Sequence, residues 1–349
     1  MDYRPTEPQR LLVAVARDFL DKACPLAVAQ ELAHDTRGAR EELWRRVSAL
    51  GWPGLLVPAP YGGSEASVLD VVLLLEEMGR AAFPSPFVTS AVVCTRILAT
   101  SATRAQQERL LPAMAAGDRI CALAIAGNGA DGPTLDGRAR FVADADVAQH
   151  LVVARESGLV VIEADRAGVT RVPLETMAGH RLCDLTFGAV ELAPDDVMGS
   201  GDVLASALAA GAVARAAEMV GAAQRILELT VEHAKVRVQS GRPIGSFQAI
   251  QHACADLLRD VETARGLVHH AAWRIDTDRD AATAVAMAKG YAAQACLGVA
   301  RRAHQVFGAL GYSAEHPLHL LHKRIHAGAV EYGDRAAHLE TVARAIGLR

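Results

Sequence analysis

The sequence predicts a mainly helical protein with a small β unit set into it. Three observations lead there. Over residues 6–116 apolar positions recur at helical spacing, and over 118–199 they give way to short β-branched runs parted by turn residues. From 203 onward long helical runs follow one another with short breaks. At 349 residues the chain exceeds the ~100–200 of a usual single domain. The expected organisation is an N-terminal helical domain (1–117), a middle, mostly antiparallel β domain (118–199) and a C-terminal four-helix bundle (200–349).

In chain order, residues 6–34 and 38–51 read as helices, with Leu11, Leu12, Val15, Phe19 and Leu20 at helical spacing. Pro58, Pro60, Gly62 and Gly63 mark a loop. Another helix spans 68–82, and its neighbouring Glu76 and Glu77 read as a solvated helix face rather than an acid/base pair. Helices near 85–101 and 103–116 complete this part. Strands are expected at 120–126, 139–142, 151–154, 159–162, 168–172 and 185–192, with a hairpin turn at Leu135-Asp136-Gly137-Arg138. Helices then cover roughly 203–239, 246–277, 280–307, 316–330 and 334–347.

Composition excludes several function classes. A net charge of -4 gives no electrostatic reason to bind nucleic acid or an anionic membrane, and 4% aromatic residues make a poor stacking platform. Cys24, Cys94, Cys121, Cys183, Cys254 and Cys296 lie far apart without a C-x-x-C, which fits reduced thiols in a cytoplasmic protein. The N-terminus has no signal-type apolar segment. The apolar run 203–223 carries Arg215 and Glu218, so it reads as a buried helix rather than a membrane span.

Few motifs suggest chemistry. Gly127-Asn128-Gly129-Ala130-Asp131-Gly132 satisfies G-x-G-x-x-G, but Pro133 and a hairpin signal follow where a dinucleotide fold needs a helix. His322 and His326 have the i, i+4 spacing of metal ligands but lack a zinc-protease glutamate, so they read as a solvated basic face and no metal is expected. The most informative stretch is Arg237-Val-Gln-Ser-Gly-Arg-Pro-Ile-Gly-Ser-Phe-Gln-Ala-Ile-Gln-His252. Gly241, Pro243 and Gly245 interrupt two helices there, and Arg237 and Arg242 flank the break. Guanidinium groups beside accessible main-chain N–H groups suit a diphosphate.

That stretch resembles the R-x-Q-F-G-x-P-I-x-x-F-Q-x-x-Q-H segment of the acyl-CoA dehydrogenase family. Leu43–Pro58, Tyr61-Gly62-Gly63, Leu75–Arg80 and Gln305-Val-Phe-Gly-Ala-Leu-Gly-Tyr312 are similar to other segments of the family, in the same order. The resemblance implies an N-terminal helical, middle β and C-terminal four-helix fold, FAD as cofactor and an acyl-CoA as substrate. In the family a glutamate removes the α proton while the flavin accepts the β hydrogen as hydride. By similarity Arg237 would meet the FAD diphosphate, and Gln305, Gly308 and Gly311 would line the path of the ADP portion of a flavin held by a neighbouring subunit. Counting forward from Leu320-Leu321 puts Glu331 on the catalytic glutamate; counting back from the last helix puts Tyr332 there. Ser240 replaces an aromatic residue of the family. Residues 126–132 replace its T-E-P-x-x-G-S-D stretch, and Phe141-Val142-Ala143 its aromatic-x-T/S stretch, without the hydroxyl. Intact lending residues beside a depleted flavin cradle imply one half of an α2β2 heteromer with a second acyl-CoA dehydrogenase-like subunit. An electron-transfer flavoprotein is the acceptor that the resemblance implies.

Overall fold

A computed structural model describes residues 5–33, 39–126, 133–199, 203–277 and 281–348. The glycine-rich stretch 127–132 lies outside them. The helices are α1 (Glu7–Ala23), α2 (Leu26–Leu32), α3 (Ala39–Ala49), α4 (Val68–Arg80), α5 (Thr95–Ser101), α6 (Arg104–Ala115), α7 (Val203–Val236), α8 (Gln248–Thr277), α9 (Ala282–Phe307), α10 (Leu318–Val330) and α11 (Arg335–Ala345). The strands are β1 (Cys121–Ile125), β2 (Thr134–Ala143), β3 (His150–Arg155), β4 (Gly158–Glu163), β5 (Val169–Leu174), β6 (Leu182–Glu191), β7 (Val238–Gln239) and β8 (Arg242–Pro243).

These elements gather into two compact units that cut across the three segments expected from sequence. One holds α1, α2, α4, α7 from Ala212 onward and α8–α11. The other holds α3, α5, α6 and the strands β1–β6. α4 joins the C-terminal helices because its apolar face is broad: Val68, Val71, Val72, Leu74, Leu75 and Met78 are all buried.

Within the first unit α4 and α7 touch backbone to backbone. A Cβ at Gly221 would lie 1.8 Å from the Glu76 carbonyl oxygen, and one at Gly79 would lie 2.0 Å from that of Glu218. Only glycine permits so close a crossing. α1 starts at Thr6, which forms a capping box with Gln9, and Pro25 separates it from α2, dividing the single helix expected over 6–34. Asp276 of α8 accepts hydrogen bonds from the main-chain N–H groups of Val68 (2.9 Å) and Leu69 (3.2 Å), satisfying the start of α4.

The expected solvated face at Glu76 and Glu77 is corrected by the structure. Glu77 is buried and its carboxylate takes Arg17 Nε at 2.9 Å and Nη2 at 2.7 Å. Glu76 meets Arg265 Nε at 2.9 Å and His269 Nε2 at 2.6 Å. Adjacent helix positions point about 100° apart, yet both fall inside this unit because α1 covers one side of α4 and α8 the other. Burial opposes the ionised form of Glu76, but His269 and Arg265 outweigh it and hold the carboxyl below the usual range.

In the second unit two three-stranded sheets, β1-β3-β4 and β2-β6-β5, enclose Leu151, Val153, Val160 and Ile162 of one sheet and Leu135, Val142, Leu185 and Phe187 of the other. β1 pairs parallel with β3, and the other pairings of these sheets are antiparallel. The expected hairpin turn at 135–138 instead lies within β2, where the register slips between Leu135 and Gly137. A bulge uses the same glycine that a turn would use. The segment Phe87–Cys94 is a wholly buried π-helix running into α5, where one regular helix was expected.

All six cysteines are free, and burial pushes the Cys121 and Cys296 thiols up to about 12. Such thiols are inert as nucleophiles. Among the described residues α7 is the one helix long and apolar enough to cross a membrane, and 61% of its apolar window is buried inside the protein, as in a core helix.

Candidate functional site

The first unit brings the chemistry-bearing residues to two places. The first is at the end of α7. After Val236 the chain makes a short hairpin in which Val238 pairs with Pro243 and Gln239 with Arg242. Its two turn residues, Ser240 (φ 52°) and Gly241 (φ 77°), both lie in the left-handed region that such two-residue turns require. The Ile244 N–H donates to the Arg237 carbonyl at 2.8 Å and closes the hairpin's base. Arg237 and Arg242 are exposed, and the Arg242 guanidinium stacks on Phe247 at 4.2 Å.

The end of α9 packs on the elements that flank this hairpin. Ala234, Ile244 and Val306 form a small buried cluster that ties α7, the hairpin's exit and α9 together. His233 of α7 stacks on Phe307 with ring centroids 4.4 Å apart. Gln305 is exposed on the last turn of α9, Gly308 leaves the helix at φ 63°, and the exposed Gly308-Ala309-Leu310 leads to the buried Gly311. Packing thus joins the end of α9 to the elements on either side of the hairpin.

Beneath this turn lies a group of imidazoles. His304 is buried, its Nε2 is 3.0 Å from Nδ1 of His322, and its ring lies 4.9 Å from that of Tyr312. Burial, with His304, His326 and Arg301 nearby, lowers His322 to about 4. His322 is therefore a neutral, half-buried hydrogen-bonding group rather than part of a solvated basic face, because the α10 face that carries it packs on α9. His326 is exposed, and no metal-binding group of three or more ligands occurs among the described residues.

The second place is the turn between α10 and α11, which carries Glu331. Glu331 caps α10, with its N–H donating to the Ala327 carbonyl at 3.3 Å. Its carboxylate lies 2.8 Å from Arg215 Nε of α7, and the side chains are 22% and 12% exposed. Arg215 also holds Glu218 through Nη1. A base needs a carboxylate that takes up a proton readily, whereas a guanidinium on the carboxylate favours the charged form. Tyr332 follows with φ 56°, a left-handed conformation uncommon for a tyrosine.

Lys289 of α9 underlies this turn. It is fully buried, and its Nζ donates to the carbonyls of Ala329 (3.1 Å) and Gly333 (2.9 Å). Burial lowers it to about 8, with Arg215 acting in the same direction and Glu331 and Asp334 opposing. Sequence reasoning missed this residue and the role of Arg215. The available signal was that Lys289 is the only charged residue from Ala281 to Ala300.

In the second unit Phe141 is exposed at φ 56°, its N–H donates to Asp184 at 3.1 Å, and Arg140 stacks over its ring at 4.6 Å. Phe141-Val142-Ala143 supplies no side-chain hydroxyl for a flavin ring. The exposed guanidinium groups of Arg237 and Arg242 carry the chemistry that a diphosphate requires.

In chain order the protein is a helical segment, two small sheets and a long C-terminal helical segment, with an arginine hairpin between the first two long C-terminal helices. Comparison with known proteins makes the relation specific. Profiles of the acyl-CoA dehydrogenase N-terminal and C-terminal domains match residues 6–118 and 199–347. Acyl-CoA dehydrogenase IpdE2 of Mycobacterium tuberculosis is 35% identical over 329 residues, 93% of this chain and 92% of that protein. The structure of the ChsE4-ChsE5 complex from Mycobacterium tuberculosis matches with TM-score 0.92 at 26% identity over 100% of both chains. A Tcur3481-Tcur3483 steroid ACAD matches with TM-score 0.88 at 26% identity over 98% of both chains. The chain belongs to the acyl-CoA dehydrogenase family.

Proposed function

We propose that this chain is one subunit of a cytoplasmic, FAD-dependent acyl-CoA dehydrogenase that shares each flavin with an unlike partner subunit. The observation that carries this reading is the contrast between the two places in the first unit. The hairpin of Arg237 and the turn that carries Gln305 and Gly308 are exposed, ready to meet a flavin held elsewhere, with Gly311 buried behind the turn. Glu331 is engaged by Arg215. On this reading the chain lends cations and main-chain donors to the diphosphate end of the cofactor, while the partner supplies the α-proton base. When bound, FAD would supply the hydride acceptor for α,β-dehydrogenation of an acyl-CoA, with an electron-transfer flavoprotein as the next acceptor. Likeness to a two-protein complex and to a steroid ACAD supports an unlike partner and a sterol-derived acyl group.

The test is flavin absorbance and native mass, for the chain alone and for the chain co-expressed with a second acyl-CoA dehydrogenase-like subunit from the same operon. The expected outcome is a colourless chain alone and one flavin per two chains in the joint assembly. A yellow homotetramer from this chain alone would overturn the shared site. A joint assembly without flavin would overturn the enzymatic reading in favour of a scaffold.

A further inference from the structure

The turn Val330-Glu331-Tyr332 is held from outside at Glu331, at the Tyr332 carbonyl and at the carbonyls on either side of it. α10 ends at Val330, so beyond the Ala327 carbonyl, which takes the Glu331 N–H, the carbonyls of its last turn lack the helical continuation that would bond them. Lys289 reaches two carbonyls, those of Ala329 and Gly333, which bracket the three residues. Its ammonium also sits at the negative end of the α10 dipole. Within the bracket Tyr332 occupies the left-handed region, and His338 Nε2 of α11 lies 3.1 Å from its carbonyl oxygen. Gly333 follows at φ 97°. The Asp334 carboxylate then accepts the Ala337 N–H at 2.9 Å to start α11.

A strained non-glycine residue persists only where its surroundings over-determine it, and such residues cluster at functional sites. A buried lysine is likewise expensive, and a hydrophobic residue would serve packing better. Both costs converge on one tripeptide. The charged or titratable groups around the Lys289 ammonium are Glu331 and Asp334 of the turn, Arg215 of α7 and His338 of α11.

We infer that Lys289 is a positioning residue: by bracketing the turn it fixes the Glu331 carboxylate on Arg215 and the Tyr332 main chain in its left-handed form, giving one fixed surface to the acyl-CoA site. That this turn borders the acyl-CoA site is part of the inference and rests on the acyl-CoA dehydrogenase reading above; the bracket does not. A neutral amine still donates to both carbonyls, so the bracket depends on the Lys289 nitrogen and not on its charge.

Hydrogen–deuterium exchange on the purified protein tests the bracket without reference to activity. In Lys289→Met, exchange across 329–334 should rise at least tenfold while peptides from 121–191 stay unchanged, and Lys289→Arg should restore part of the protection. In the flavin-loaded assembly kcat should fall at least tenfold with KM within twofold. Unchanged exchange at 329–334 would overturn the inference, and so would a uniform rise across α7–α11 with kcat and KM intact. If Lys289→Met does not fold, combining it with Tyr332→Gly removes the left-handed cost. That double variant should fold yet keep the low kcat, and wild-type kcat would refute the positioning role. Altered exchange in a protein whose wild type shows neither flavin nor turnover would count against the functional reading and for the bracket.

Discussion

Replacing Glu331 by Gln separates an ion-pair partner from a catalytic base. The carboxylate shares Arg215 with Glu218, and the three side chains are 22%, 12% and 15% exposed. Breaking a fully buried pair costs ~3–5 kcal/mol, and an exposed pair ~0–1 kcal/mol. A glutamine keeps a polar oxygen beside the Arg215 guanidinium, and Glu218 still balances its charge. The expected loss for Glu331→Gln is therefore about 1 kcal/mol. Arg215→Met leaves both carboxylates without their guanidinium and should cost about 2–3 kcal/mol. Denaturant unfolding of the assembly reads these values, and exchange of the substrate α proton in heavy water reads the chemistry. If Glu331 only anchors the turn, its replacement should slow α-proton exchange by less than about tenfold. Loss of a general base costs ~10²–10⁴ in rate. A hundredfold slowing with unchanged stability would refute the anchoring role and make Glu331 the base.

Other outcomes follow from the same geometry. Gly221→Ala places a methyl against the Glu76 carbonyl and should destabilise the protein by about 1–3 kcal/mol or more, read as a lower urea midpoint; full tolerance would show that α4 and α7 can part freely. Glu76 has a depressed folded-state pKa, so its contribution is present above the unfolded value near 4.5 and is lost as pH falls below it. Glu76→Gln should flatten that acid limb, and an unaltered acid limb would refute the assignment. Lys289 shifts from 10.5 to about 8, so the unfolded chain binds more protons between those values. Stability from this group should rise with pH across that window by about 3 kcal/mol, and Lys289→Met should abolish the rise. Arg237→Gln should lower flavin retention in the joint assembly about tenfold or more without moving the unfolding midpoint of the flavin-free chain, as measured by fluorescence titration.

Periodicity, glycine and proline placement and ordered motif segments were enough to read the class of fold, most of the long elements and the break between two helices near Arg237. These signals are local, since a helix repeats every 3.6 residues and a two-residue turn needs left-handed backbone whatever surrounds it. The grouping of Gln305 with Arg237 came from resemblance alone, whereas the packing of α9 on the exit of the hairpin came from Ala234, Ile244 and Val306. Tertiary structure alone decided which charges are buried. Glu76, read as solvated, meets Arg265 and His269 from 189 and 193 residues away, and no local pattern carries such a pairing. His322 became a neutral hydrogen-bonding group because of the α9 surface it packs on. Glu331 was visible as a residue type at the right count, but its state depends on Arg215, Glu218 and Lys289, which lie on two other helices. Sequence fixes which groups can ionise. Burial and long-range neighbours decide whether they do, because desolvation and Coulomb terms depend on distances that only the folded chain defines.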